Sequence, residues 1–371
     1  MIDTIDFELF INFSDRLKVK AGVNNFIKKR NVPGHAKPLH PPNNNRHVKN
    51  GSSLLITASF ADLGIQEFAL CCDRYLLDEG TATVIYRHYV RMTVKPAIFL
   101  YPDDPYALSK ADDLDSTEHE INRFINELNR FTGYELLPPI AEWRVTRIDY
   151  AYQFRAPYYP AYLLLFKKER PKRDSKVYYP VAGMGAFPAE VRYWNGSVNF
   201  HVYDKTLELL EKHGYRDHKN TDGSHVLRFE IQCKDRCLSG IVYKYGLGQS
   251  NIRNLWEPKI ADMKIRNAIK KVIGTDDFYS LSGAWEILSQ HYNDRKVLSM
   301  VEFIRPGAYP KTKGNRLAAL YAERFGLDEK QVKYRFIPSF HDAGVNIRIL
   351  PDKWGIDYLV NPVKILGLGN E

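Results

Sequence analysis

Three segments of the chain alternate apolar and polar residues in step with a β-strand, and their polar positions hold groups that carry chemistry. They are W-R-V-T-R-I-D-Y-A-Y-Q-F at 143–154, V-N-F-H-V-Y-D-K at 198–205 and V-L-R-F-E-I-Q-C-K at 226–234. Successive side chains on a strand point to opposite faces. In the first segment Ile148, Tyr150, Tyr152 and Phe154 share one face and Asp149 takes the other. In the second, Val198, Phe200 and Val202 oppose Asn199, His201, Tyr203 and Lys205. In the third, Leu227, Phe229, Ile231 and Cys233 oppose Arg228, Glu230, Gln232 and Lys234. If the apolar faces pack together in one sheet, the other face collects Asp149, His201, Tyr203, Lys205, Arg228 and Glu230. That set offers two carboxylates and an imidazole for a hard divalent cation, one hydroxyl nucleophile, and cations for phosphate. Periodicity alone leaves a second reading open, because antiparallel sheets often carry such residues on a merely solvated face.

The remaining pattern is mixed. Residues 1–13 read as a strand, and 32–51, with four prolines, three asparagines in a row and His35, His40 and His47, as a loop. Residues 81–95 alternate: Val84, Tyr86, His88, Val90, Met92 and Val94 face a core, with His88 as a satisfied core histidine, while Arg87, Arg91 and Lys95 face away, along a DNA path or as a solvated basic face. Thr117 and Glu120 form a capping box for a helix with the stripe Ile121, Phe124, Ile125, Leu128, ending at Gly133. Beyond about residue 250 the texture is helical, with amphipathic stretches at 255–272 and 281–292 and a break at Pro306 and Pro310. A helix over 315–325 stops at Gly326, and Asp328 caps another running toward Pro338. The last two read as a helix-turn-helix or a plain helical hairpin, with Lys330, Lys333 and Arg335 available to phosphates. Strands mixed with packed helices predict an α+β domain. We place an α+β domain at 1–250 and a helical accessory domain at 251–371.

The charge suits a nucleic-acid partner: 53 Lys+Arg against 44 Asp+Glu leave a formal net charge of +9 in a chain with 13% aromatic residues. No apolar run reaches membrane-spanning length, and Asp3, Asp6 and Glu8 at the start are unlike a basic signal peptide, so a soluble, cytoplasmic protein is expected. Cys71, Cys72, Cys233 and Cys237 have neither disulfide-framework nor zinc-ribbon spacing and read as reduced thiols.

The polar set fits one reaction. A tyrosine attacking a DNA phosphodiester exchanges ester for ester and frees a 3′-hydroxyl, so the nick can be resealed without ATP. Forming the phenolate at neutral pH costs roughly 4 kcal/mol from an unperturbed pKa of about 10. A divalent cation on the phosphate and Lys205 two residues along would both lower that cost. Asp149 and Glu230 are ligands suited to Mg²⁺ or Mn²⁺, with His201 as a third ligand or a phosphate-steering group.

Several short segments then line up in order: M-I-D at the start, T-R-I-D-Y-A (146–151), V-Y-D-K-T-L-E-L (202–209), L-R-F-E-I-Q-C-K (227–234), K-Y-G-L (244–247) and F-H-D-A-G-V-N-I (340–347). The chain resembles the gene II/X family, the rolling-circle replication endonucleases of filamentous phages and related plasmids. The resemblance implies an antiparallel-sheet nicking domain and a strand-specific endonuclease. Such an enzyme stays joined to the 5′ end of origin DNA and leaves a primer for a host polymerase, working with a host helicase. It implies Tyr203 as nucleophile with Lys205 beside it, and Asp149 and Glu230 as the carboxylates. Two features depart from the family pattern. No His-hydrophobic-His metal motif occurs, and R-Y-W-N-G-S (192–197) is similar to a tyrosine-before-Gly-Ser motif that makes Tyr193 a rival nucleophile. Two other classes remain: a metal-dependent nuclease hydrolysing DNA with water, and a DNA-binding regulator without catalysis.

Overall fold

The computed structural model describes residues 1–31, 34–35, 51–78, 83–169, 175–178, 188–215, 223–305 and 314–368. Most of the proline- and asparagine-rich segment, with His40 and His47, lies outside the described residues, as do Pro306 and Pro310. Helices and antiparallel strand pairs alternate through the chain, an α+β arrangement.

The strands of the main sheet are, in chain order, β1 (Ile2–Ile11), β2 (Gly34–His35), β3 (Gly51–Phe60), β4 (Ile65–Asp78), β5 (Thr83–Val94), β6 (Arg144–Ala156), β7 (Ser175–Tyr178), β8 (Glu190–Trp194), β9 (Val198–Asp204) and β10 (His225–Lys234). The helices that bear on the argument are α1 (Asp15–Arg30), α2 (Leu114–Thr132), α3 (Tyr159–Glu169), α4 (Lys205–His213), α5 (Asp235–Tyr245) and α6 (Pro258–Ile273). The chain divides into two compact units, one of 1–152, 194–201 and 229–265, the other of 153–193, 202–228 and 266–371.

In the first unit the strand order is β2-β3-β4-β5-β1-β6-β10-β9. β5 pairs antiparallel with β1, setting Phe7 opposite Met92 and Leu9 opposite Val90, so one face of the sheet is continuously apolar. α1 and α2 bring Val19, Val23, Phe26, Ile121, Phe124 and Leu128 to the core, all buried. Phe26, Phe60, Phe68 and Phe124 meet with ring centroids 5.1–5.8 Å apart. Each such ring contributes about 1.5–3 kcal/mol on burial. His88 is 3% exposed, meets the Arg16 guanidinium at 3.0 Å and abuts Phe13, as expected of a satisfied core histidine.

Two local expectations need correction. α2 starts at Leu114, after a 3₁₀ turn closed by Asp113 and Lys110, and not at the Thr117 box. Thr117 is fully buried inside the helix, so its hydroxyl caps nothing; Gly133, at φ +73°, does end it. α1 was invisible as an amphipathic pattern because lysines and asparagines interrupt its apolar positions.

In the second unit the strands follow the order β6-β10-β9-β8-β7. Its helical part holds Leu281–His291, Asp294–Ile304 and Gly314–Phe325, then a short helix from Glu329 that passes through a π-turn over Val332–Phe336 into Ile337–Asp342. Phe303, Tyr321, Phe336 and Phe340 form its aromatic centre. Gly326 at φ +61° and the cap by the Asp328 carboxylate stand where the sequence places them.

Candidate active site

β10 decides the character of the polar face. Every residue from Val226 to Cys233 is buried, so the strand is enclosed on both faces and its polar positions are not a solvated surface. Arg228 is 1% exposed, Glu230 9% and Gln232 8%, while Asp149 on β6 is 1% exposed. A buried carboxylate needs partners to remain charged.

In the first unit Asp149 has Arg147, two residues earlier on the same strand face. The guanidinium grips the carboxylate with two bonds, Nε to Oδ1 at 2.9 Å and a terminal nitrogen to Oδ2. Arg147 also reaches Asp6 across the β1·β6 register at 3.6 Å. Gln232 points Nε2 at Asp149 from 3.5 Å and accepts a 2.8 Å bond from Asn199, which ties the polar positions of β9 to those of β10. Burial pushes the Asp149 carboxyl up to about 7 although Arg147 pulls the other way, and the like charges of Glu230 and Asp3 add to the rise. The Asp149 and Glu230 carboxylates therefore repel each other, an arrangement that a cation relieves. Among the described residues no three His, Cys, Asp or Glu groups stand together as a ready ligand set, so His201 is not assembled with the two carboxylates into a three-ligand site.

In the second unit Tyr203 is half-buried on β9. β9 ends at Asp204, and Lys205 is the first residue of α4 instead of a further strand residue. This corrects the expectation of a lysine on the Tyr203 strand face. The Lys205 ammonium binds Glu208 at 2.7 Å, Lys212 also binds Glu208, and together they hold that carboxyl down at about 2 against the opposing effect of burial. Sequence reasoning missed Asp204. Its carboxylate caps α4 through the Leu207 N–H at 3.0 Å and meets His225 Nδ1 at 2.6 Å, and the imidazole stacks on Tyr159 with centroids 4.1 Å apart. An aspartate just before a helical stretch was the available signal. Arg228 donates from Nε to Gln153 at 2.8 Å, and at 1% exposure its guanidinium is not presented to solvent.

The rival tyrosine is engaged. Tyr193 is 8% exposed and its hydroxyl donates to the Phe166 carbonyl at 2.5 Å. Of the cations on β5, Arg87 is exposed and lies 4.5 Å over the Phe10 ring, whereas Arg91 is bound by both oxygens of Glu67 at 2.9 Å. Lys95 is half-buried at the end of the strand. Lys330, Lys333 and Arg335 are exposed, and Arg335 joins Lys296, Gln331 and Ser339 around a cavity of about 290 Å³. No described helix is long and apolar enough to cross a membrane.

No protein-family model matches the chain, and no curated protein matches it. Among solved structures, a rolling circle replication initiator protein from Geobacillus stearothermophilus is similar at 11% identity, over 66% of this chain and 77% of that one, with a TM-score of 0.29. The di-domain ARO/CYC protein StfQ of the steffimycin biosynthetic pathway is similar at 11% identity, over 72% of this chain and 97% of that one, with a TM-score of 0.18. Superpositions this loose establish neither a common fold nor a family.

Proposed function

We propose that the chain nicks one strand of a replication origin by tyrosine transesterification, with Tyr203 as the nucleophile. The reading is carried by the buried carboxylate pair of the first unit, Asp149 at 1% and Glu230 at 9% exposure. Buried, mutually repelling carboxylates are costly to a fold and are kept where chemistry uses them. The burial of Tyr193, at 8% exposure, favours the half-buried Tyr203 of the two candidates.

Asp149 and Glu230 would hold Mg²⁺ or Mn²⁺, which takes one or two carboxylates and fills its shell with water and phosphate oxygens, with Arg147 giving up part of its grip on Asp149. The bound ion would supply positive charge at the scissile phosphate. Tyr203 Oη attacks phosphorus, the P–O3′ bond breaks, the 3′-oxygen takes up a proton, and the 5′ phosphate is left as a phosphotyrosine ester. His201, two positions before Tyr203 on the same strand face, steers the phosphate. Arg87 on its Phe10 platform lies along the DNA path, and Lys330, Lys333 and Arg335 hold flanking origin DNA. The free 3′-end is the primer for a host polymerase, with a host helicase opening the duplex in the bacterial cytoplasm.

The test is covalent trapping. Full-length protein, Tyr203→Phe and Tyr193→Phe are each incubated with Mn²⁺ and end-labelled single-stranded origin DNA, then resolved under denaturing conditions. A protein–DNA adduct from the parent and Tyr193→Phe but not from Tyr203→Phe is the expected result. An adduct that survives Tyr203→Phe removes Tyr203 as nucleophile. Cleavage without adduct means hydrolysis by water, and binding without cleavage means a regulator.

A further inference from the structure

The junction of β10 and α5 holds a second reactive group that the nicking chemistry does not use. Cys233 is the penultimate residue of β10 and Cys237 lies in the first turn of α5. Across that junction the Cys233 thiol is hydrogen-bonded to the Cys237 sulfur. From α6, Lys264 Nζ donates to the same sulfur at 3.2 Å. Cys237 thus accepts from a thiol and from an ammonium and sits where the first-turn N–H groups of a helix favour negative charge. The two sulfurs divide their roles. The Cys233 bond, helped by Lys264, pulls Cys237 down to about 6, while Cys233, hydrogen-bonded to Cys237 and buried, is pushed far up. The other groups facing the pair are the buried Tyr150 phenol and, more distantly, Asp149. Cys71 and Cys72 differ: burial raises both, Cys71 to about 11, and Cys71 is fully buried.

We propose that Cys233, Cys237 and Lys264 form a peroxide-reactive dithiol site, with Cys237 the attacking thiolate, Cys233 the resolving thiol and a small hydroperoxide the substrate. Cys237 sulfur attacks the terminal peroxide oxygen, the O–O bond breaks, hydroxide or alkoxide leaves, and the sulfur is oxidised by two electrons to a sulfenic acid. Cys233 sulfur then attacks the sulfenyl sulfur. The S–S bond forms, S–O breaks, and the departing hydroxide takes the Cys233 proton as water. Lys264 holds the thiolate in place before the attack. Cys237 at 8% exposure and Cys233 at 0% admit a small oxidant in preference to a bulky one.

The site is independent of the nicking reading, and its test uses full-length protein without DNA. Protein is treated with limiting hydrogen peroxide at pH 7, quenched with an alkylating agent under denaturing conditions and mapped by mass spectrometry. The expected product is the Cys233–Cys237 disulfide, with Cys71 and Cys72 still alkylated. Cys233→Ser is expected to accumulate a sulfenic acid at Cys237 that dimedone traps. Lys264→Met is expected to slow oxidation severalfold, because it removes the lesser of the two groups that lower Cys237 and leaves the Cys233 bond in place. Lys264→Arg is expected to restore most of the rate, and urea titration of each variant separates a loss of reactivity from a loss of fold. Equal oxidation of all four cysteines, no dimedone adduct in Cys233→Ser, or an unchanged rate in folded Lys264→Met overturns the proposal.

Discussion

At the scale of single residues, this protein keeps its interior charges by pairing them unequally. Asp149 has a two-pronged guanidinium, yet burial and two like charges still lift its carboxyl to about 7. Glu208 lies at the other extreme, with two ammonium groups holding it at about 2. A carboxyl depressed in the folded state stabilises the fold above its unfolded value, near 4.5, and that stabilisation is lost as pH falls toward 2. With a quarter of the Glu208 side chain exposed, solvent screening reduces the effect to about 1–2 kcal/mol. Urea midpoints between pH 6 and pH 2.5 should therefore fall further for the parent than for Glu208→Gln. Parallel curves would mean that the Lys205 and Lys212 contacts add nothing. The types of Asp149, Glu230 and Tyr203 were legible in the sequence, because strand alternation assigns faces. The clamp by Arg147 was not, although it stands only two residues from Asp149, since alternation says nothing about which same-face neighbours bond. Nor was the Asp204–His225 pair, which joins residues 21 apart in sequence.

At the scale of elements, the readable ones were those with a clean period. β5 and β9 have one apolar and one polar face and appear where alternation puts them. β10 alternates just as well yet is buried on both faces, and no single-strand pattern reveals what covers the polar side. α1 has almost no amphipathic signal, and its position depends on Gly22. A Cβ added there would lie 2.4 Å from Thr132 Cγ2, 3.0 Å from Thr132 N and 3.1 Å from Thr132 Cα, at the end of α2. Thr132 cannot move aside cheaply, because its hydroxyl donates to a backbone carbonyl, that of Asn129 or of Tyr134, and accepts from the Tyr134 N–H. Helix propensity alone would favour alanine by about 1 kcal/mol, but overpacking against backbone costs about 1–3 kcal/mol. Gly22→Ala is expected to lower unfolding stability by up to about 2 kcal/mol. Gly240, also helical but with nothing within 4 Å of its added Cβ, provides the control: Gly240→Ala should be neutral or stabilising. Denaturant unfolding of both variants checks the pair, and a Gly22→Ala protein as stable as Gly240→Ala would show that α1 and α2 can separate without cost.

At the scale of the whole molecule, the chain does not finish one unit before starting the other. It visits the first through 1–152, 194–201 and 229–265, and the second through the intervening stretches and 266–371. Composition along the sequence cannot reveal such interleaving, because texture changes at residue 250 while contacts do not follow it. The first unit draws on Ile252, Leu255, Ile260 and Ile265, all at most 1% exposed, on the Leu255 carbonyl that accepts the Tyr150 hydroxyl at 2.8 Å, and on Trp256, whose indole donates to the Lys110 carbonyl. In the second unit Tyr162 on α3 donates to the Val360 carbonyl at 2.9 Å, so even an early helix uses the last residues of the chain. A fragment ending at residue 250 would leave these groups unpartnered and take away much of two cores at once. Removing four buried aliphatic side chains alone forfeits on the order of 8 kcal/mol, as much as the whole net stability of many folded chains. Fragment 1–250 is thus expected to show no cooperative thermal transition by circular dichroism and no adduct with origin DNA, under conditions where the full chain shows both. A fragment that melts cooperatively and still forms the adduct would instead make the first 250 residues an autonomous nicking domain, with the remaining helices serving only to hold the origin.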